Sequence, residues 1–512
     1  MAKEKAVKNQ KSMEETLWES ANKLRGSVES SEYKHIVLGL IFLKFVSDTF
    51  EERREKLLAE GKEAFIDMVE FYTMENVFYL PEISRWSYIK QNAKQDDIAL
   101  KIDTALATIE KNNPSLKGAL PDNYFSRLGL DVSKLSSLID TINNINTIED
   151  KGHDVVGRVY EYFLGEFALA EGKLGGQFYT PKSIVNLLAN MIEPYKGKIY
   201  DPACGSGGMF IQSLKFIEAH KGNKKDISIY GQEFTATTYK LAKMNLAIRG
   251  ISANLGAVPA DTFFKDQHPD LKADYIMANP PFNQKEWRGV NELLDDPRWA
   301  GYDVPSTSNA NYGWILHMLS KLSENGIAGF VLAKGSLTSN SSNEGEIRKQ
   351  LIENNLVDCI VNLPAKLFFN TQIPACLWFL KKNRKTNDIL FIDARNLGHL
   401  INRRNKDFSL EDIEQVASTY HNWKLGSDAL ASQYNDIKGF CKSASLEEVR
   451  ELNYVLTPGR YVGLEDSEDE FDFKERFESL QNELINQMKE EQSLNDRILA
   501  NLAKVNLVAV DE

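Results

Sequence analysis

The chain has 512 residues, of which 42% are hydrophobic and 26% charged, with a formal net charge of −12 at pH 7. That length is too great for one ordinary core, so we expect two or more domains, and the composition excludes a disordered chain as the default. The acidic balance argues against a protein that coats nucleic acid unaided, because such proteins present a broad basic surface. If the chain acts on DNA, we expect a partner protein to supply much of the DNA-binding surface.

The cysteines are widely spaced and form no C-x-x-C pair, so we expect neither a disulfide framework nor a metal site. Residues 1–11 are basic and polar without an apolar core, which does not fit a signal peptide. The longest apolar run, residues 37–46, is too short to span a bilayer and contains Lys44. These features predict a cytoplasmic protein without a membrane segment.

The apolar pattern from Met13 to about Ile139 is helical. One helical face includes Trp18, and a second, strongly apolar helix covers residues 36–43. We predict a helical N-terminal domain over residues 1–150 that contacts DNA or other subunits. The alternative is that its basic and aromatic residues form a solvated face.

Strand and helix patterns alternate after Gly152 and predict a doubly wound, Rossmann-like α/β domain over residues 151–463. Ligands of such sheets bind beyond the carboxyl ends of the strands. The candidate strands are 198–200, 227–230, 275–278, 327–332, 358–363, 375–380 and 389–393.

A glycine-rich turn, Asp201 to Gly208, follows the first candidate strand. Its glycines permit a tight turn and close approach of a ligand, and the next helix offers free N–H groups. Glu233 ends the next strand, where an acid can accept hydrogen bonds from ribose hydroxyls. Asp261 ends a third candidate strand, where a carboxylate can accept a hydrogen bond from an adenine amino group. Each acid alone is typical of a surface or capping position, but in this order the segments predict a nucleoside pocket.

Asn279-Pro280-Pro281-Phe282 follows the candidate strand 274–278. The prolines make the turn stiff, and the Asn279 side-chain oxygen and the Pro280 carbonyl can both accept from one planar NH2 group. Phe282 offers a flat face on which a base can stack. The alternative is a strand-ending turn with an apolar plug. The string resembles the Asn/Asp-Pro-Pro-aromatic motif of amino-methyltransferases that use S-adenosylmethionine (SAM).

The segment from Gly175 to Pro181 precedes a helix predicted from Lys182 to Met191. Thr180 suits the N-cap of that helix and Pro181 its first position. By itself the segment indicates only a helix start. Combined with the turn after Asp201, it resembles the part of such methyltransferases that completes the SAM site from the N-terminal side.

Nearly the whole chain resembles the modification subunit (HsdM type) of type I restriction-modification systems. The resemblance implies a site-specific adenine DNA methyltransferase, which transfers a methyl group from SAM to N6 of adenine at a sequence chosen by a separate specificity subunit. It also implies two copies of this chain per specificity subunit and a restriction subunit in the full complex. The segments that carry it are Ala21–Gly26, Gly176–Pro181, Asp201–Gly208, Gly231–Glu233 and Asn279–Phe282.

The same resemblance implies roles for individual residues. The turn after Asp201 lines the methionine part of SAM, Glu233 holds the ribose, and Asp261 contacts the adenine of the cofactor. The residues that handle the target adenine are Asn279, Pro280, Pro281 and Phe282. The cofactor-binding residues are Gln177, Phe178, Tyr179, Thr180, Asp201, Ala203, Gly205, Ser206, Gly207, Gly208, Glu233 and Asp261.

Two stretches lie outside these motifs. Residues 285–312 lack clear periodicity and mix cations with aromatics, so they form either a lid that orders on DNA or a surface insertion. Residues 464–512 combine an acidic linker, Glu465 to Glu470, with a long amphipathic helix. We expect its apolar stripe to dock on the specificity subunit, the alternative being packing on this chain's own domain. The stripe contains Phe473, Phe477, Leu480, Leu484, Met488, Leu494, Ile498, Leu502 and Val505.

Other functional classes stay open at this point. A non-catalytic assembly subunit with a methyltransferase-like fold would bind the cofactor without turnover. The same catalytic string also serves cytosine N4 and protein glutamine substrates. A nuclease or DNA-dependent motor is disfavoured, because the sequence has no G-x-x-x-x-G-K-[ST] phosphate loop.

Overall fold

The residues described by the structure, a computed structural model, are 18–19, 22, 30–145, 162–163, 180–368, 373–402, 405–425, 434–464 and 473–502. The chain divides into two compact units, Met1–Gly463 and Leu464–Glu512. Most of the front motif, the segment 175–179 and the acidic run 465–470 lie outside the described residues. The predicted domain boundaries stay predictions.

The N-terminal part of the first unit is helical, as predicted. Apolar side chains from its helices share one core, to which the predicted apolar run contributes the fully buried Leu40 and Phe42. Buried Asp103 joins two of the helices, because its carboxylate accepts the backbone N–H groups of Tyr124, Phe125 and Ser126 at 2.8 to 3.0 Å. The helices α1 to α6 are Ser30–Ala59, Glu70–Thr73, Trp86–Gln91, Ile98–Asn112, Tyr124–Arg127 and Val132–Asn143.

A mixed sheet forms the centre of the rest of this unit. In the described part of the chain it has nine strands, in the order β11-β8-β6-β7-β5-β4-β1-β2-β3, and β9 and β10 form a separate antiparallel pair. The strands β1 to β11 are Gly197–Asp201, Ile227–Gly231, Ala253–Asn254, Ala273–Ala278, Leu322–Ala333, Val357–Asn362, Ala375–Lys381, Ile389–Asp393, His399–Leu400, Lys406–Asp407 and Cys441–Ala444.

Helices cover both faces of the sheet and bury its apolar side chains in two clusters. One cluster includes α7, α8 and α12, and the other includes α10, α11 and α13. Helix α9 also reaches the helical N-terminal core, through Leu241, Met244 and Ile248. The helices α7 to α13 are Lys182–Ile192, Gly208–Ala219, Ala236–Ile248, Asn311–Lys321, Glu344–Glu353, Leu410–Leu425 and Leu446–Glu451.

The predicted α/β fold class is confirmed, since each predicted strand overlaps an observed one. Strand β7 runs antiparallel to both of its neighbours, β5 and β6, and the sequence pattern gave no sign of this reversal. Strands β4, β1 and β2 are parallel neighbours, so their carboxyl ends meet at one edge of the sheet. That edge brings Asp201, Glu233 and Asn279 close together.

The second unit contains one long helix, α14, Phe473–Leu502. It confirms the predicted C-terminal helical tail, and the predicted stripe beyond Leu502 lies outside the described residues. Apolar side chains along α14 are exposed, namely Phe477, Leu480, Leu484, Met488, Leu494 and Ile498. No helix in the described ranges is both long and apolar enough to cross a membrane.

Candidate active site

Asp201 ends β1, and its side chain folds back over the glycine-rich turn. Its Oδ1 atom accepts the backbone N–H of Ala203 at 3.0 Å, and the residue is only 1% exposed. Burial raises the pKa of Asp201 to about 8, and the neighbouring Glu233 carboxylate contributes to the rise. A cationic ligand would favour the ionised form of this acid.

The turn after Asp201 presents bare backbone. Gly205 and Gly207 have φ values of +54° and +82°, a conformation that favours glycine. A Cβ atom added to Gly205 or Gly208 would meet no atom within 4 Å, so a ligand can approach both positions closely. The Ser206 carbonyl accepts Asn245 Nδ2 at 2.7 Å, which anchors the turn to α9.

Glu233 follows β2 and bridges to the same turn. Its Oε2 accepts the Gly205 N–H at 3.1 Å and its Oε1 accepts the Thr235 N–H at 2.8 Å. Burial raises the pKa of Glu233 as well. A carboxylate has about four lone-pair sites, so Glu233 can hold the turn and still accept a hydrogen bond from a ligand hydroxyl.

The prediction that Asp261 ends a strand is wrong, because Asp261 lies in the loop between β3 and β4. Its Oδ1 accepts the Phe263 N–H at 2.8 Å, and Thr262 Oγ1 donates to the Pro202 carbonyl at 2.6 Å. The buried Gln232 amide braces this loop by donating to the carbonyls of Ala260 and Lys265 at 3.1 and 2.8 Å. The loop is thereby fixed against the glycine-rich turn.

Asn279 directly follows β4, and its amide is held by Thr180. Asn279 Nδ2 donates to Thr180 Oγ1 at 2.8 Å, while the buried Asn279 Oδ1 finds no hydrogen-bond partner among the described residues. A buried acceptor without a donor is costly, so its presence marks a place where a ligand donor fits. The predicted N-cap at Thr180 is wrong, because α7 begins at Lys182 with Pro181 as its N-cap and no side-chain cap.

Phe282 packs beside a second aromatic residue at the same sheet edge. Its ring meets that of Phe368 edge to face, with 5.6 Å between centroids and 79° between planes. Phe368 follows β6 and was not predicted from the sequence, where the available signal was an aromatic residue shortly after a strand end. Both side chains are mostly buried.

A cavity of about 270 Å³ lies between these elements. Two of its lining residues, Gln284 and Trp314, were missed in the sequence. Buried Gln284 Oε1 and Trp314 Nε1 lack a hydrogen-bond partner in the described part of the chain, as Asn279 Oδ1 does. Gln284 comes two residues after the catalytic string, whereas Trp314 on α10 had no sequence signal. The cavity is lined by Pro202, Ala203, Gly205, Glu233, Phe234, Thr235, Asp261, Thr262, Phe263, Asn279, Pro281, Gln284 and Trp314.

Residues 285–312 pack against the domain next to this cavity. Trp287 and Trp299 are 5% and 2% exposed, and each indole N–H donates to a backbone carbonyl at 2.6 Å. Arg298 donates to the carbonyls of Thr262 and Phe263 at 3.0 and 2.5 Å. The stretch therefore supports the Asp261 loop, while its predicted role as a lid stays a prediction.

The structure brings most of the predicted site residues to one place. Gln177, Phe178 and Tyr179 lie outside the described residues, so their cofactor role stays a prediction. The predicted residues that line the cavity are Ala203, Gly205, Glu233, Asp261, Asn279 and Pro281. The predicted residues in the turns and segments that adjoin this lining are Thr180, Asp201, Ser206, Gly207, Gly208, Pro280 and Phe282.

Comparison with known proteins places the chain in a family. A model of the N-6 DNA Methylase family matches residues 151–470, and a model of the HsdM N-terminal domain matches residues 13–142. The type I restriction enzyme HindI methylase subunit of Haemophilus influenzae is 45% identical over 446 residues, covering 83% of this chain and 99% of the relative. The MjaIX methylase subunit of Methanocaldococcus jannaschii is 39% identical over 508 residues, covering 95% of this chain and 90% of the relative.

Among solved structures, the type I restriction-modification system methyltransferase subunit from Streptococcus thermophilus has a similar fold. Its TM-score is 0.74 at 24% identity, covering 88% of this chain and 99% of that chain. The matched family models and the identity to the curated relatives agree with the site geometry described above. This chain belongs to the N-6 DNA methylase family and is a type I restriction enzyme methylase subunit.

Proposed function

We propose that this chain transfers a methyl group from SAM to N6 of adenine in DNA, using the cavity between β1, β2 and β4. The observation that carries the proposal is the Asn279 amide. Its donor end is held by Thr180, and its buried acceptor end is unpaired within the described residues while the side chain lines the cavity. An acceptor in that position fits an amino group as the target.

The residues around the cavity fit a cationic nucleoside cofactor. The raised pKa values of Asp201 and Glu233 favour a positively charged ligand, which would restore their ionised forms. We assign the methionine part of SAM to the turn after Asp201, the ribose to Glu233 and the adenine to Asp261. Trp314 supports the last assignment, since its ring packs on Phe263 at 4.3 Å between centroids and its N–H can donate to an adenine nitrogen.

The chemistry required of the chain is mainly positioning. Asn279 Oδ1 and the Pro280 carbonyl accept the two amino hydrogens of the target, which draws the N6 lone pair out of conjugation and directs it into the cavity. Bound SAM supplies a methyl group attached to a positively charged sulfur, so no covalent intermediate on the protein is needed. Cys204 is no nucleophile, because burial raises the pKa of its thiol well above the usual range.

The target adenine must leave the duplex to reach Asn279, which costs a few kcal/mol. Stacking a base on an aromatic side chain returns about 1 to 3 kcal/mol. Phe282 and Phe368 form an aromatic corner beside Asn279, and we assign the flipped base to that corner.

We further propose that a separate specificity subunit chooses the DNA sequence and binds α14. The net charge of −12 supports this division, since the chain by itself is poorly suited to hold a polyanion. The exposed apolar side chains of α14 recur mostly at spacings of three and four residues, as on a helix that packs against another helix. Two copies of this chain per specificity subunit, and a restriction subunit in the full complex, are part of the same proposal.

The test is transfer of labelled methyl from SAM to DNA, with the chain alone and with its specificity subunit, followed by identification of the modified base. We expect N6-methyladenine, formed only when the partner is present. SAM binding without transfer would favour a non-catalytic assembly subunit. Label on cytosine N4 or on protein glutamine would reassign the substrate.

A further inference from the structure

The hydroxyl of Thr180 is used in an unexpected way. The residue precedes α7, where a threonine hydroxyl ordinarily caps the helix, yet α7 has no side-chain cap. Thr180 Oγ1 instead accepts Asn279 Nδ2 at 2.8 Å, across 99 residues of sequence. The bond therefore links the segment before α7 to the carboxyl end of β4.

This bond holds the Asn279 amide in place, with its other end toward the cavity. A primary amide has an acceptor and a donor of nearly the same size and shape, so packing alone does not distinguish its two orientations. With Nδ2 held by Thr180, Oδ1 is left buried and unpaired within the described residues, ready to accept. In the opposite orientation an amide N–H would face the amino group of the target, donor against donor.

We propose that Thr180 is a positioning residue for methyl transfer, whose hydroxyl holds the Asn279 side chain at the carboxyl end of β4 while the Asn279 oxygen accepts from the target amino group. The proposal rests on the methyltransferase function given above and differs from the cofactor-binding role predicted for Thr180. The Thr180 hydroxyl acts through Asn279, so it contributes to turnover rather than to SAM affinity.

The experiment compares Thr180→Val with Thr180→Ser in the complex with the specificity subunit. Valine keeps the shape and removes the acceptor, whereas serine keeps the hydroxyl. We expect kcat to fall about 10- to 100-fold for valine, the range expected when a buried group loses its hydrogen-bond partner. We expect the SAM dissociation constant to change less than threefold, and serine to restore most of the rate.

A second comparison separates positioning from a general structural effect. Asn279→Ala removes the side chain through which Thr180 acts. The fold-loss caused by Thr180→Val should therefore shrink to less than threefold in the Asn279→Ala background, measured under single-turnover conditions over hours. This test uses the ratio of two rates, so it holds even where the alanine variant is slow.

Several outcomes would overturn the proposal while leaving the proposed function intact. They are an unchanged kcat for Thr180→Val, a loss confined to SAM affinity, or an undiminished loss in the Asn279→Ala background. Failure of the unsubstituted complex to methylate DNA would instead contradict the proposed function itself.

Discussion

The acceptor oxygen of Asn279 is the residue-scale feature on which the chemistry depends. Replacing Asn279 by alanine removes the acceptor without touching the turn after Asp201. We expect methyl transfer to fall by about a thousandfold or more, because the target amino group loses both its positioning and its activation. The SAM dissociation constant, measured by calorimetry, should stay within about threefold.

Asn325→Ala is a matched control for this substitution, since Asn325 is exposed near the start of β5 and lies outside the cavity lining. It should leave both methyl transfer and SAM binding unchanged. A near-normal methylation rate for Asn279→Ala would contradict the proposed catalytic role of Asn279.

Asp201 gives cofactor binding a pH dependence. Its pKa is raised to about 8 by burial, so at pH 7 most molecules carry the neutral acid. If a cationic ligand requires the ionised form, binding releases a proton, and SAM affinity should rise from pH 6 to about pH 8 and level off above it. Calorimetry at pH 7 in two buffers of different ionisation enthalpy measures the released proton.

Asp201→Asn separates this effect from titration of SAM itself, which is common to both proteins. The variant should bind SAM more weakly, and the part of the pH dependence that belongs to Asp201 should vanish. Identical proton release by the two proteins would show that Asp201 does not ionise on binding.

At the scale of elements, the sheet edge is completed by a stretch with no motif. Arg298, in the segment between β4 and α10, holds the carbonyls of Thr262 and Phe263 beside Asp261. Arg298→Ala should raise the SAM dissociation constant about tenfold, because the loop loses two charge-assisted hydrogen bonds. The measurement is SAM binding by calorimetry, on protein whose folding has been checked by thermal denaturation.

Arg288→Ala supplies the comparison within the same segment. Arg288 donates to the carbonyl of Pro305 and to those of Gly289 and Glu292, and none of these acceptors belongs to the Asp261 loop. It should lower stability without a specific loss of SAM affinity. Equal losses of affinity for the two variants would point to general destabilisation rather than to support of the cofactor loop.

At the scale of the whole molecule, α14 is the element that we propose binds the specificity subunit. Removing residues 465–512 should abolish co-purification with the specificity subunit while SAM binding to the remaining chain is retained. The reason is that the exposed apolar stripe of α14 provides the proposed contact, whereas the cofactor cavity lies wholly in the first unit. Intact assembly after the deletion would place the contact elsewhere.

A finer substitution tests the same contact without truncation. Leu484→Lys places a charge on the exposed apolar stripe, and Asn482→Lys adds the same charge elsewhere on the exposed surface of the helix. Only the first should weaken assembly, as measured by analytical size-exclusion chromatography.

The amino-acid sequence by itself determined the fold class and the order of the site segments. Strands such as β4 and β8 are short apolar runs bounded by turn residues. Asp201 ends β1, and Glu233 and Asn279 lie just after β2 and β4. Parallel neighbouring strands then bring these residues to one edge, so local pattern and strand order were sufficient. The long C-terminal helix was equally predictable from the sequence, because the spacing of its apolar residues repeats over many turns.

Tertiary structure alone decided the contacts between segments far apart in the chain. Phe368, Trp314 and Arg298 reach the site from a loop after β6, from α10 and from a segment without periodicity, and no local pattern marks such residues. No local pattern marked the role of Thr180 either. Its position suggested a helix cap, but in the structure its hydroxyl accepts a hydrogen bond from Asn279. A hydrogen bond between distant residues depends on where the fold places both partners, and this information is absent from either segment alone.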